Sequence, residues 1–546
     1  MARAFFLLNF TWSDLKNIAT IVFILLNFSL FDQIEAQHVF DIFRNQAKKH
    51  VSNLEGIAVD QTLDTLASKT NLMYYFGSNE SQLLQINHDQ QFNKFGVVRF
   101  GHVMSASDGT LIHDIFRTNH SRLQHQLEEG RVSNNLSVTY FTDGRKLNGG
   151  LLSDSLFQFT SLDQEFLPVN LSDNSSNYKR FNVRDTLLVR VHDRWFLSGL
   201  LDYSHVDRNY QGNGILDSTF YDTVYLSDGP FVDYFRNRNL KYGVGTRFVD
   251  SSMTLDVTAF VNNDYFYNLI RRNWYGAGAS VRLGVMLGKT QLKTLAEYHF
   301  SGYRKSGCSA SISLNAPVDS LNRLKVEFSS TLLPVEYNLL AYSGNHFVWN
   351  MENMTFPWTN TLNVAYNDSV RKLDVVIGGM YAQNYFFFDT SMVASQVESA
   401  HFASLSLRKR FSLRNLYFPI RLTTNFGKSE QIRLPTINAT AGVFVGMRLF
   451  KANLKVDFGA QCNWFSKYFA NQFEPSTGNV YLQNNSEIGA FPFVDLMLRS
   501  TVKNASFYVM MTHVNENLTG RNYYIRPNYL ELASRFIFGI NWQFLN

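Results

Sequence analysis

The chain has 546 residues, 17% charged and 15% aromatic, and two Cys, Cys308 and Cys462. Its charge fraction falls below the ~25% usual for soluble domains, yet a mean hydropathy of −0.16 is too polar for a bundle of membrane helices, and two Cys make neither a disulfide framework nor a Cys-rich zinc site. The net charge of +5 comes from 50 basic and 45 acidic residues with no basic block, so no nucleic-acid partner is indicated.

Residues 1–36 read as an export signal. Arg3 and Lys16 supply positive charge, Ile18 to Phe31 is almost wholly apolar, and Ala36 is a small residue placed for cleavage. That apolar run is about 14 residues, short of the roughly 20 that a spanning helix needs. Residues 37–92 read as an N-terminal periplasmic extension or plug, helical in places (Val39, Ile42 and Phe43, then Val51 and Leu54). Residues 93–546 read as strands. Nothing after residue 36 is long and apolar enough to cross a membrane as a helix.

The strand signal is alternation. Along 437–450, Ile437, Ala439, Ala441, Val443, Val445, Met447 and Leu449 alternate with Asn438, Thr440, Gly442, Phe444, Gly446, Arg448 and Phe450, a set that holds Asn, Thr, Gly and Arg. After a short break the parity switches: Leu454, Val456, Phe458, Ala460, Cys462 and Trp464 alternate with Lys455, Asp457, Gln461 and Asn463. The same pattern appears at 253–261, 275–287, 292–300, 373–381, 505–511 and 532–544. Tight turns are expected near 193, 251, 288, 331, 368, 413, 450 and 503, with longer polar connections at 204–239, 301–320, 382–400 and 465–489. Strands of ten residues or more match the 9–11 that cross a bilayer at a tilt. The expected fold is all-β: a transmembrane antiparallel up-and-down β-barrel with short periplasmic turns and longer extracellular loops. Hairpins counted from residue 135 predict about 18 strands, within 16–20.

A closed sheet satisfies every backbone group in lipid, so one face of each strand meets lipid and the other the lumen. The lumen-facing charge candidates are Arg282, Lys293, Arg448, Lys455, Asp457 and Arg535. Trp274, Tyr275, Tyr298, Phe300, Tyr381 and Trp464 are placed for interfacial girdles. The last strand ends Gly539-x-x-Trp542-x-Phe544, which resembles the signal read by the bacterial barrel-insertion machinery.

Residues 431–546 carry a further set of motifs: Leu434-Pro435, Glu474-Pro475-Ser476-Thr477-Gly478 leading to Leu482-Gln483, Gly489 to Asp495, His513-Val514-Asn515, Asn522-Tyr523-Tyr524, Pro527-Asn528-Tyr529 and Phe538 to Trp542. In order and spacing this segment resembles the C-terminal part of the putative porins of the Bacteroidota. The resemblance implies an outer-membrane β-barrel that acts as a passive channel, and it supplies no catalytic residues.

Other chemistry finds little footing. Gly284-x-x-x-Gly288-Lys289-Thr290 is one residue short of a phosphate-binding loop and joins two strands. His113-Asp114 and His192-Asp193 invite comparison with barrel proteases, but loop or turn solvation accounts for both. No enzyme activity, cofactor or metal is expected. The expected function is a porin-like outer-membrane channel passing small hydrophilic solutes through a charged lumen. The alternative is a non-conducting barrel serving as a partner subunit of an envelope assembly, secretion or uptake complex. Energy-coupled uptake needs a plug and 22 strands, for which about 510 mature residues leave little room. Expected partners are outer-membrane lipid, the barrel-assembly machinery during biogenesis, and other outer-membrane proteins or further copies of the chain.

Overall fold

The computed structural model describes residues 68–546, apart from 93–95, 110, 160–162, 452, 532 and 546. The export signal expected at 1–36, and the part of the extension before residue 68, lie outside the described residues. No helix among the described residues is long and apolar enough to cross a membrane.

One sheet of 22 antiparallel strands dominates the molecule. In chain order the barrel strands are β1 (Lys69–Gly77), β2 (Gln82–Phe92), β3 (Gly96–Ser107), β4 (Phe116–Glu129), β5 (Val132–Leu147), β6 (Asn174–His192), β7 (Trp195–Asn213), β8 (Pro230–Val249), β9 (Met253–Asn268), β10 (Ile270–Leu287) and β11 (Thr290–His299). They continue as β12 (Cys308–Pro317), β13 (Asn322–Leu332), β14 (Trp358–Asp368), β15 (Leu373–Phe388), β16 (Ala394–Leu413), β17 (Leu416–Phe426), β18 (Ile437–Leu449), β19 (Leu454–Phe465), β20 (Phe493–Val502), β21 (Ala505–Thr512) and β22 (Arg535–Leu545). Each strand pairs with its chain neighbours, and β22 closes onto β1 from Lys69↔Leu545 to Gly77↔Ile537.

Alternation decides which residues face out. On β18, Val443 and Met447 are exposed whereas Phe444 between them is buried, and on β19 Phe458 is 51% exposed beside Asp457 at 1%. The exposed apolar parity is the lipid face, and the buried parity points into the barrel.

The two ends of the barrel differ. At one end the connections are short, as at 130–131, 193–194, 288–289, 414–415 and 503–504, and both chain ends of the barrel lie there. Gly288 takes φ +63° in the β10–β11 turn, so the segment that resembled a phosphate loop is a hairpin turn. At the other end are loops 148–173, 214–229, 333–357, 466–492 and 513–534.

The strand count corrects the expected 16–20. Strands β5 to β22 are the 18 counted from about residue 135, and β1 to β4 add four more. The barrel therefore begins at Lys69, inside the segment assigned to the extension, and not at 93. Alternation is blurred there because both faces of β1 are apolar: Met73 and Tyr75 are buried while Phe76 is exposed. The turn expected near 331 lies instead at 318–321, because β12 occupies half of the segment read as a loop at 301–320. Trp274 is not a girdle residue. It packs inward against Tyr303 and Tyr337, at ring centroid distances of 4.9 and 5.0 Å.

Candidate functional site

The long loops fold over their end of the barrel and share buried cores. The tip of loop 466–492 is built from its own residues. Glu474 N donates to Asn479 O and Gly478 N to Glu474 O, both at 2.9 Å. Gly478 takes φ +75°, a left-handed conformation that Gly adopts without a Cβ penalty. Glu474 Oε1 accepts from Ser476 N and Ser476 Oγ at 2.9 Å each. This turn caps the small hairpin 472–473/480–481.

The tip then meets strands on the far side. Strand β19, from which the loop leaves, lies twelve strands from β7 one way around the ring and ten the other. Arg208 of β7 nevertheless donates from Nη1 to Ser476 O at 2.6 Å and from Nη2 to Pro475 O at 2.7 Å. A Cβ on Gly478 would come within 2.9 Å of Arg208 Nε, so the guanidinium lies against a residue with no side chain. The Tyr221 hydroxyl, from loop 214–229, donates to Glu474 Oε1 at 2.8 Å. Burial pushes the Glu474 carboxyl above the usual carboxylate range, opposed by its hydrogen bonds from Ser476 and Tyr221.

Loop 333–357 joins the same network. The His346 ring stacks on Tyr221 with centroids 3.9 Å apart and planes 9° from parallel. Asn345 is fully buried and tethers both neighbours: its N donates to Asp233 of β8 at 2.9 Å, and its Oδ1 accepts from Leu226 N and Ser227 N. A second core joins loops 148–173, 466–492 and 513–534 through Phe157, Leu167, Ile488, Phe491 and Tyr523. Gln164 Nε2 donates there to Glu516 Oε1 at 3.1 Å. These loops form a roof across the mouth, with apolar contacts inside and buried polar bonds between its members.

Below the roof, the inner face carries charges in rows, since residues in register across antiparallel strands share a face. Arg282 lies in register with Asp256, which also takes Arg247 Nε at 2.5 Å. Arg282 and Lys293 line one cavity of about 400 Å³ near the short-turn end. Eight strands further round, Arg448 is in register with Lys455, whose Nζ lies 3.7 Å from Asp457 Oδ2. Arg499 also bonds Asp457, from Nε at 3.0 Å. Arg535 stands apart at the loop end of β22, where Nη1 donates to Ser81 Oγ at 2.8 Å. Of the terminal motif, Gly539 lies under the Tyr75 ring, where a Cβ would come within 2.3 Å of Cδ1, and Trp542 and Phe544 stack at 4.4 Å.

The roof residues Arg208, Tyr221, Asp233 and His346 were not anticipated. Glu474-Pro475-Ser476-Thr477-Gly478 was visible as a motif, but its pairing with β7 was not. His113 is exposed on its loop.

A family model described as Putative porin matches residues 46–546. The chain belongs to this putative porin family. It is a bacterial outer-membrane β-barrel transport protein, as the family, the closed sheet and the lipid face together require. No curated protein matches the chain. Among solved structures, this family member is similar to BauA, the ferric preacinetobactin receptor from Acinetobacter baumannii (12% identity, TM-score 0.52, 87% of this chain and 80% of that one). It is also similar to the copper transporter OprC (12% identity, TM-score 0.59, 87% and 80%) and to a mutant of the ferric enterobactin receptor PfeA from Pseudomonas aeruginosa (10% identity, TM-score 0.60, 88% and 81%). At such identities the likeness is one of fold. The expected passive-diffusion porin is corrected by these findings: the barrel has the 22-strand architecture of uptake receptors, and its mouth is roofed.

Proposed function

We propose that this barrel is the closed, receptor-type component of an outer-membrane uptake complex, which admits a specific solute when its roof rearranges. The observation that carries the reading is the bond pattern across the mouth, in which Arg208 and Tyr221 hold the tip of a loop rooted on the opposite wall. Buried bonds of this kind suit a receptor whose loops close over a ligand. The fold likeness to receptors and a metal transporter supports the same reading.

In this reading the inner charge rows, including Arg282, Lys293, Arg448, Lys455 and Asp457, line the path below the roof. The insertion signal at Gly539, Trp542 and Phe544 serves the assembly machinery, and the apolar face meets outer-membrane lipid. Conductance of the full chain in planar bilayers tests the proposal. The expected result is no steady current from the wild type, and channel activity once residues 468–490 are replaced by a short Gly-Ser linker. Steady, ohmic conductance by the wild type would overturn it.

A further inference from the structure

The inner face near the short-turn end holds a second cavity, of about 440 Å³, between β14 and β21. One row of its wall reads Asn367, Asp374, Arg408, Arg421 and Thr440, each residue in register with the next. Arg408 and Arg421 are thus direct cross-strand partners of the same sign, an arrangement that is unfavourable unless something answers it. Arg410 lies two residues from Arg408 on the same face, its guanidinium 4.1 Å from the centre of the Tyr417 ring.

The cavity's own carboxylates do not answer this charge. Asp374 lies 3.8 Å from Arg408 and also accepts a hydrogen bond from Asn367. Arg499, on the far wall, is taken by Asp457. Among the described residues no carboxylate lies within 4 Å of Arg421 or Arg410, and Arg421 makes no side-chain hydrogen bond. With Arg408 set against Asp374, Arg499 against Asp457, and the wall's other carboxylate, Asp368, against Arg371 at 3.7 Å, the guanidinium charges of Arg410 and Arg421 remain. Guanidinium groups bind carboxylate and phosphate oxygens in a planar fork.

We propose that Arg408, Arg410 and Arg421 form a binding site for a small oxyanion of charge −2 inside the barrel. The volume suits a solute of a few heavy atoms up to a small phosphomonoester or dicarboxylate. Thr440 and Gln461, on the same wall, offer hydrogen bonds to its remaining oxygens. The site gives a chemical class to the solute that passes below the roof. It stands on residues the roof does not touch, so its failure leaves the closed-barrel reading in place.

Titration calorimetry on the full-length barrel in detergent at low ionic strength tests it, with inorganic phosphate and succinate as probes and chloride as the control anion. Phosphate or succinate is expected to saturate one site, and Arg421→Gln to weaken binding at least tenfold. Arg408→Gln should act alike, whereas Arg282→Gln on the other wall should change affinity less than twofold. Boiled and unboiled gel mobility verifies that each variant is folded. The proposal is overturned if neither dianion binds the wild type, if chloride binds equally well, or if folded Arg421→Gln binds as the wild type does.

Discussion

The Tyr221 hydroxyl donates to Glu474 at 2.8 Å, although 253 residues separate the two. The bond joins a loop after β7 to a loop after β19, on nearly opposite walls of the ring. Tyr221→Phe removes this donor and keeps the ring that stacks on His346. Losing a bond to a buried acceptor costs about 1–3 kcal/mol. The cost should fall on the roof and leave the barrel intact. Protease cleavage within 466–492 is expected to rise roughly 5- to 150-fold, with the heat-dependent gel shift unchanged. Unchanged cleavage would mean that the roof does not depend on this bond.

Arg208 should matter more, because its fork serves two carbonyls at once. Arg208→Ala leaves Pro475 O and Ser476 O without donors that the lattice of the roof supplies, a loss of about 1.5–3 kcal/mol per charge-assisted bond. Arg208→Lys keeps the charge but not the planar fork and is expected to fall between wild type and Ala. Deuterium uptake at the 474–479 amides measures this. A Lys variant that protects these amides as well as wild type would show that charge alone holds the tip.

Acidic pH should tighten the roof. Burial raises the Glu474 carboxyl, and it raises Asp114 from 3.8 to about 7 in loop 108–115, which joins the roof's second core through Leu111. A carboxyl whose folded pKa lies above its unfolded value adds stability that is complete below the unfolded pKa and is lost as pH rises through the folded one. For Asp114 that window runs from 3.8 to about 7. Loop cleavage, normalised to a free peptide at each pH, is therefore expected to increase from pH 4 to pH 8. Glu474→Gln should flatten part of the rise. A roof that becomes more resistant toward pH 8 would contradict this assignment.

Barrel closure should be sensitive at Gly539. A Cβ there would meet Tyr75 Cδ1 at 2.3 Å, on the seam where β22 pairs with β1. Overpacking of this kind costs about 1–3 kcal/mol. Gly539→Ala is expected to lower the yield of heat-modifiable barrel, and Tyr75→Ala combined with it to restore much of that yield. If the double variant folds no better than Gly539→Ala, the defect lies in recognition by the assembly machinery and not in packing under the Tyr75 ring.

Much of the barrel could be read before any coordinates. The alternation at 437–464 placed Val443 and Phe458 on one face and Asp457 on the other, as the exposures have it. Seven of the eight expected tight turns fall at or beside observed short ones, and the misplaced one, at 331, follows from reading β12 as a loop. The start of the barrel was read at 93 and not at Lys69 because β1 is apolar on both faces, with Met73 and Tyr75 filling the inside near Tyr508. Period two is invisible when both parities carry the same kind of residue.

The amino-acid sequence by itself determined that the chain is an outer-membrane barrel and which side of most strands meets lipid. Those properties are local: each residue sees lipid or lumen according to its parity, whatever the distant strands do. The tertiary structure alone decided that the ring closes at 22 strands and that its mouth is roofed. Closure depends on β22 finding β1, and the roof depends on Arg208 and Tyr221 finding residues 474–476 from the opposite wall. Contacts between residues more than 250 positions apart leave no period in the sequence, because nothing about either segment alone requires the other until the sheet has curved them together.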